Sequence, residues 1–272
     1  MVKISDQEQI RYREKTERYR ELIAAALANG EKALEEINRN PADSALKRLS
    51  LAEDMLDLSS YYIIQDGISH SMLKTRNEEA LNNARKSIYQ SVFYLEQIVT
   101  TLLDAPYSEY EKDIEQIAPL NVEQRYFLIR KMGLAIDLLK NAYGENSKWK
   151  WSFVELEGRY ATVAKNIIDL KNMVSNIDPR SPYYAPAVCH LRLAIKLLTQ
   201  AANRYRERYE LFTKRVSDFE VSINFLSALL RIYLILGDQE NIQDVKRKLH
   251  TWQNKLKNDI LRNRSPEAPA AG

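Results

Sequence analysis

The chain has 272 residues, an apolar share of 45% and a formal net charge of +3. That is enough apolar side chain for a core, and too balanced a charge to mark a nucleic-acid protein by itself. With 7 glycines and 8 prolines, turns are scarce, and the abundance of Leu, Ala, Glu, Lys and Arg without period-two runs argues for an all-α chain.

Cys189 is the single cysteine, which excludes an intrachain disulfide and a metal site built on several cysteines. The opening MVKISDQEQIRYREK lacks the apolar centre of a signal peptide, and no run reaches the ~18 apolar residues of a membrane span. A cytoplasmic protein without a membrane span is therefore expected. Charge is unevenly spread. Residues 1–136 carry 18 basic and 22 acidic side chains, whereas residues 137–272 carry 22 and 15.

In chain order, Ser5 and Glu8 have the spacing of a capping box and open the first helix. Tyr12, Tyr19, Ala26 and Ala33 repeat at seven, as do Thr16, Ile23, Gly30 and Ile37, which makes a coiled-coil-like seam up to Asn40-Pro41. Gly30 on that seam reads as a close-packing point. A helix of about 34 residues is ~50 Å long. That already equals the diameter of a compact chain of this size, so an elongated molecule is expected. A second helix starts at Asp43-Ser44 and weakens near Gly67. Asn77 caps a third, whose stripe runs from Leu81 to Leu102 and ends at Pro106.

Residues 105–120 hold two prolines and a second capping box, Ser108 with Glu111, and mark a lobe boundary. Asn121 caps the next helix, with Tyr126, Phe127, Leu134, Leu138 and Leu139 as its apolar stripe. Another runs from Trp149 to Val174, with Gly158 either a turn or a tight contact. After DPRSPYYAP a long helix reaches Val216 with Tyr205 and Phe212 on one face. Ser217 with Glu220 is the third capping box. It opens Phe219–Leu236, which is apolar nearly all round and so belongs in a core. Gly237-Asp238 ends that helix and caps the last, whose seam is Ile242, Val245, Leu249, Trp252 and Leu256.

The expected fold is an antiparallel stack of about seven long helices and one or two short ones, as a helical-hairpin bundle or a short solenoid. It forms a single unit over 5–264, with lobes at 5–105 and 107–264 and a disordered tail at 265–272.

Chemistry is hard to find in this pattern. None of His70, His190 and His250 has a glutamate three residues before it, as a carboxylate-bridged metal bundle needs. Asp66 and His70 are a lone i, i+4 pair. There is no H-E-x-x-H, no phosphate loop and no G-x-S-x-G elbow. Cys189 and His190 are adjacent and point apart on a helix. No catalytic residue, metal or cofactor is assigned.

Binding residues are easier to propose. RYRE occurs at 11–14, 18–21 and 204–207, and Arg204 and Arg208 stand among aromatics, a combination suited to phosphates and bases. Between Lys246 and Arg264 seven basic residues face one acid, Asp259, which makes Lys246, Lys248, Lys255 and Lys257 candidates for an acidic partner. Tyr183 and Tyr184 sit in a proline-rich loop and have the character of interface anchors.

Leu226, Leu229, Tyr233, Gly237, Ile242 and Leu249 have the spacing of the signature positions of a tetratricopeptide repeat, so residues 222–256 resemble one such hairpin. Lys246 stands where that family has an aromatic. SKWKWSFVELEGRY is similar in place to a segment of the nine-helix 14-3-3 adaptors, although the arginine and tyrosine positions of their phosphate pocket are not matched around Tyr160. The second likeness is one of architecture only; the first implies a helical-hairpin adaptor, and the expected function is a non-enzymatic helical scaffold that binds another protein, or itself. The alternative is a helical protein associated with nucleic acid, bound weakly and non-specifically through the basic C-terminal helix.

Overall fold

The computed structural model describes residues 6–41, 44–144 and 149–264. The expected cap at Ser5, the start at Asp43 and the tail at 265–272 lie outside the described residues. Those residues form ten α-helices and no strand. Eight are long: α1 (Asp6–Arg39), α2 (Ala45–Leu73), α3 (Glu78–Glu96), α5 (Val122–Tyr143), α6 (Lys150–Asn166), α8 (Tyr184–Arg208), α9 (Val216–Leu236) and α10 (Gln239–Arg264). Two are short, α4 (Glu111–Gln116) and α7 (Leu170–Asn176). Eight long helices stand where about seven were expected.

The caps follow local chemistry. The Asn77 side chain accepts from the Ala80 amide at 3.0 Å, and the Asp66 carboxylate accepts from the Asn77 amide at 2.6 Å. Asn121 and Gln124 form a reciprocal capping box on α5. Gly237, at φ 68°, ends α9 in the left-handed region, and Asp238 caps α10 by accepting from the Asn241 amide at 3.1 Å. The stop and the new cap thus fall at Gly237-Asp238, as the sequence predicts. The other two capping boxes do not form: Tyr107–Glu109 is a 3₁₀ turn, and Arg215 rather than Ser217 precedes α9.

Three expected helices end early, each for a visible reason. α3 stops at Glu96, because the chain beyond is drawn onto the end of α6. Asn166 donates to the carbonyls of Thr100 (2.5 Å) and Leu102 (3.2 Å), and Lys165 donates to that of Leu103 (2.9 Å). Leu102 is accordingly exposed. α6 itself stops at Asn166. The buried Arg125 guanidinium takes the carbonyls of Ile117, Leu120 and Ile167, and Asp169 caps α7. α8 gives way to a π-helical turn at Tyr209–Thr213 that shifts the register, so Tyr209 is buried and Phe212 is exposed, stacked on Trp151 at 5.3 Å.

Helix α6 is the internal wall of the protein. Phe153, Leu156, Tyr160, Val163 and Ile167 face a core shared by α1, α2, α3 and α5, while Val154, Ala161 and Ile168 face a second core on α7, α8, α9 and α10. Ala105, Tyr110 and Ile114 belong to the first core, so Pro106 marks a break between helices inside that core. Gly158 is a packing point: a Cβ there would lie 2.7 Å from Tyr205 Cε2 and 3.3 Å from Phe225 Cζ. α1 runs through Gly30 unbroken against Leu51 and Met55.

At the far end of the second core, Ile242, Val245, Leu249 and Trp252 are buried as the seam predicts. Trp252 is 3% exposed and packs 5.9 Å from Phe219. α9 has the length and composition to cross a membrane, yet 44% of its most apolar window is buried inside the protein. It is not apolar core throughout: Leu234 and Ile235 in its last turn are exposed.

Candidate functional site

A groove of about 630 Å³ lies between α5 and α8, with α6 as its floor. It exists because α5 carries more apolar residues than one face can hold. Leu128, Ile129, Met132, Ile136 and Leu139 turn into the first core, while Phe127, Leu134 and Leu138 are left exposed. Of the expected stripe, Leu139 is buried and Tyr126 half-buried, while Phe127, Leu134 and Leu138 lie on the solvent face. Gly133 lets the floor come close: a Cβ there would lie 2.6 Å from the Tyr160 hydroxyl, which donates to the Ile129 carbonyl at 2.9 Å. Burial pushes the Tyr160 phenol well above its ordinary range, so it stays neutral.

From α8, Leu193 and Leu197 line the opposite wall, half-buried. Four cations surround this apolar strip, Arg130, Lys140, Lys196 and Arg204, against two carboxylates, Asp137 and Glu157. Glu157 is fully engaged, with Lys140 at 2.5 Å and Arg204 at 3.4 Å. Arg130 lies 5.5 Å from the Tyr126 ring centre, and among the described residues neither it nor Lys196 has a carboxylate partner. The groove thus offers leucines together with two cations that have no carboxylate partner among the described residues.

The residues singled out in the sequence do not converge on one site. Arg204 is in the groove wall. Lys248 reaches the same end, donating to Asn203 at 3.2 Å while its ammonium lies 4.9 Å from the Trp252 ring. Burial and the nearby Arg206 lower its pKa. Arg208 is a tertiary ion-pair partner of the buried Asp218, which also accepts from the Thr213 hydroxyl at 2.5 Å. Lys255 lies between Glu210 (3.7 Å) and Asp259 (3.5 Å). Lys246 and Lys257 are exposed. Tyr183 and Tyr184 are exposed at the other end of α8, ~30 Å from Arg204 at 1.5 Å per residue. Four of the six basic residues named, Arg204, Arg208, Lys248 and Lys255, are thus held in contacts within the fold.

Sequence reasoning missed Arg130, Leu193, Lys196 and Leu197. The available signal was the apolar excess on α5, which needed a second face to cover it. Among the described residues no group of three His, Cys, Asp or Glu side chains is placed to hold a metal ion.

No curated protein and no solved structure matches the chain. Nothing in these comparisons links it to tetratricopeptide or 14-3-3 proteins. A family model does match, over residues 8–260, from the first turn of α1 nearly to the end of α10. The chain therefore belongs to the TP0443 family.

Proposed function

We propose that this protein is a non-enzymatic helical adaptor that receives an acidic amphipathic helix of a partner protein in the α5–α8 groove. The observation that carries this reading is that Leu134, Leu193 and Leu197 line one groove together with Arg130 and Lys196, two cations without a carboxylate partner among the described residues. An amphipathic helix buries its apolar stripe in such a strip and places carboxylates over the flanking cations. The apolar contacts supply affinity, and the charges supply orientation and on-rate. The compartment that suits the exposed free thiol of Cys189 is a reducing, cytoplasmic one.

A helical-peptide display library tests the proposal. Selected binders should carry apolar residues at i, i+3 or i+4 and i+7, with Asp or Glu beside them. Arg130→Glu combined with Lys196→Glu should abolish their binding without lowering the melting temperature, since both side chains are exposed. Binders that are basic, or that ignore the double variant, would remove the groove from consideration. Steeply salt-dependent binding of DNA or RNA, lost with Lys246→Gln and Lys257→Gln, would put the basic C-terminal helix in its place.

A further inference from the structure

A second cavity, of about 260 Å³, lies between the 105–110 segment, the end of α6 and the last turns of α9, and shares no lining residue with the α5–α8 groove. Its walls are mostly apolar, with Pro106, Leu170, Ile232 and Ile235 among them. Four polar side chains line it as well: Lys165, Tyr107, Tyr110 and Arg231, of which Tyr107 is already engaged, its hydroxyl donating to Asp169 at 3.0 Å.

Two of these are buried at a cost to the fold. Lys165 is 3% exposed, and its ammonium, with three N–H donors, reaches one acceptor, the Leu103 carbonyl at 2.9 Å. The Tyr110 ring is centred 5.4 Å from that ammonium. Burial lowers the Lys165 pKa to about 8, an effect that Arg231 assists and Asp104 opposes. Tyr110 is 1% exposed, and its hydroxyl has no hydrogen-bond partner. The Arg231 guanidinium, which pairs with Asp104, acts electrostatically on that phenol.

Methionine and phenylalanine at these positions would fill similar space without burying an under-used ammonium or an orphan hydroxyl. Stability alone therefore does not account for Lys165 and Tyr110. Their donors match one kind of group. A carboxylate has four lone-pair sites and can accept from an ammonium and a hydroxyl together. An amine would meet two cations, and a plain alcohol would leave the ammonium's charge unanswered.

We propose that this cavity binds a small monocarboxylate with an apolar body, held by the Lys165 ammonium and the Tyr110 hydroxyl, with its body against Leu170, Ile232 and Ile235. Arg231 stands by as a second, partly exposed cation that draws the anion in. The cavity is smaller than the roughly 300–1,000 Å³ of drug-sized sites, which restricts the ligand to a medium-chain or single-ring acid.

Titration calorimetry on the full chain tests this, with octanoate and benzoate as probes and octan-1-ol and octylamine as controls. At least one carboxylate should bind with one-to-one stoichiometry at pH 7, and octylamine should not bind. Affinity should fall as pH rises from 7 to 10, because the ammonium loses its proton. Lys165→Met should weaken binding by about tenfold or more, and Tyr110→Phe by about three- to tenfold. Both variants should keep the helical far-ultraviolet spectrum. Should Lys165→Met fail to fold, Tyr110→Phe decides alone, since it removes only an unbonded hydroxyl. The proposal is overturned if neither acid binds saturably up to about 5 mM. It is equally overturned if octan-1-ol binds as tightly as octanoate, or if the folded variants bind as the wild type does.

Discussion

On one side of α6, Phe153, Leu156 and Val163 meet a core in which five of thirty-four buried apolar residues are aromatic. On the other side, five of twenty-two are aromatic, and each of the five meets another of them, in two sets. Tyr205 meets Phe225 at 5.6 Å, Tyr209 stacks on Phe219 at 4.9 Å, and Phe219 meets Trp252 at 5.9 Å. Alanines on α8, among them Ala194, Ala201 and Ala202, leave room for these rings. The first core spreads its burial over many aliphatic side chains, each replaceable at modest cost. The second concentrates it in a ladder of rings across α8, α9 and α10, where offset ring pairs add to the area they bury. Cohesion reached by two routes gives two different sensitivities to single substitutions.

Trp252→Ala is the largest expected effect and the most direct way to break this comparison. The ring closes the ladder, with the Arg206 guanidinium 5.1 Å from its centre and Lys248 above it. Truncation should cost about 3–5 kcal/mol. That is a large part of the roughly 5–15 kcal/mol by which a domain is stable. Urea unfolding followed by circular dichroism should show the midpoint falling with little change of slope. A midpoint that stays where it is would mean that the rings are not what holds α10 to α9.

A pH experiment probes the joint between the two cores. His190 on α8 is buried, and its Nε2 bonds the Ala164 carbonyl of α6 at 3.0 Å. Burial lowers its pKa from 6.5 to about 4. The unfolded chain then takes up a proton near pH 6.5 that the folded chain refuses until about pH 4. Stability therefore falls as pH drops through that window, by on the order of 3 kcal/mol if no other group intervenes. His190→Gln keeps a donor for Ala164 and should flatten the fall, read as unfolding free energy between pH 7 and pH 4. An unchanged slope would assign the acid sensitivity to other groups.

Much of this architecture was readable from the sequence, and the misreadings share a cause. Asn77, Asn121 and Gly237 act through their own backbone, so the helix ends they set could be read locally. The 242–252 seam was equally plain, because one strongly polar face leaves no choice of inward direction. α5 was misread because two of its faces are apolar, and only the neighbours α2, α3 and α8 decide which is covered. The end of α3 was missed because its cause, Asn166 and Lys165, lies more than sixty residues away in the chain. The groove was hidden for the same reason. Its flanking residues Arg130 and Lys196 come from helices that nothing local places side by side. Arg208 and Lys255 looked like free charges because their partners Asp218 and Glu210 meet them only across turns and helices.

The smallest expected effects come from two glycines, and here the two cores should differ in sign. Both lie inside helices, where alanine is intrinsically better by about 0.8–1.0 kcal/mol. At Gly30, in the first core, an added Cβ would meet Met55 Cε at 3.7 Å and Leu51 Cδ2 at 3.9 Å, which is ordinary contact. Gly30→Ala should therefore stabilise the protein by about 0.4–1 kcal/mol. At Gly158, facing the second core, the Cβ would fall 2.7 Å from Tyr205 Cε2 and 3.1 Å from its hydroxyl. That ring is itself wedged against Phe225, 5.6 Å away centre to centre, and cannot slide off without disturbing the ladder. Overpacking of this kind costs about 1–3 kcal/mol, which outweighs the helical gain. Melting curves of the two variants should move in opposite directions by a few degrees. If Gly158→Ala also stabilises, Tyr205 can yield, and the second core is softer than its stacked rings imply.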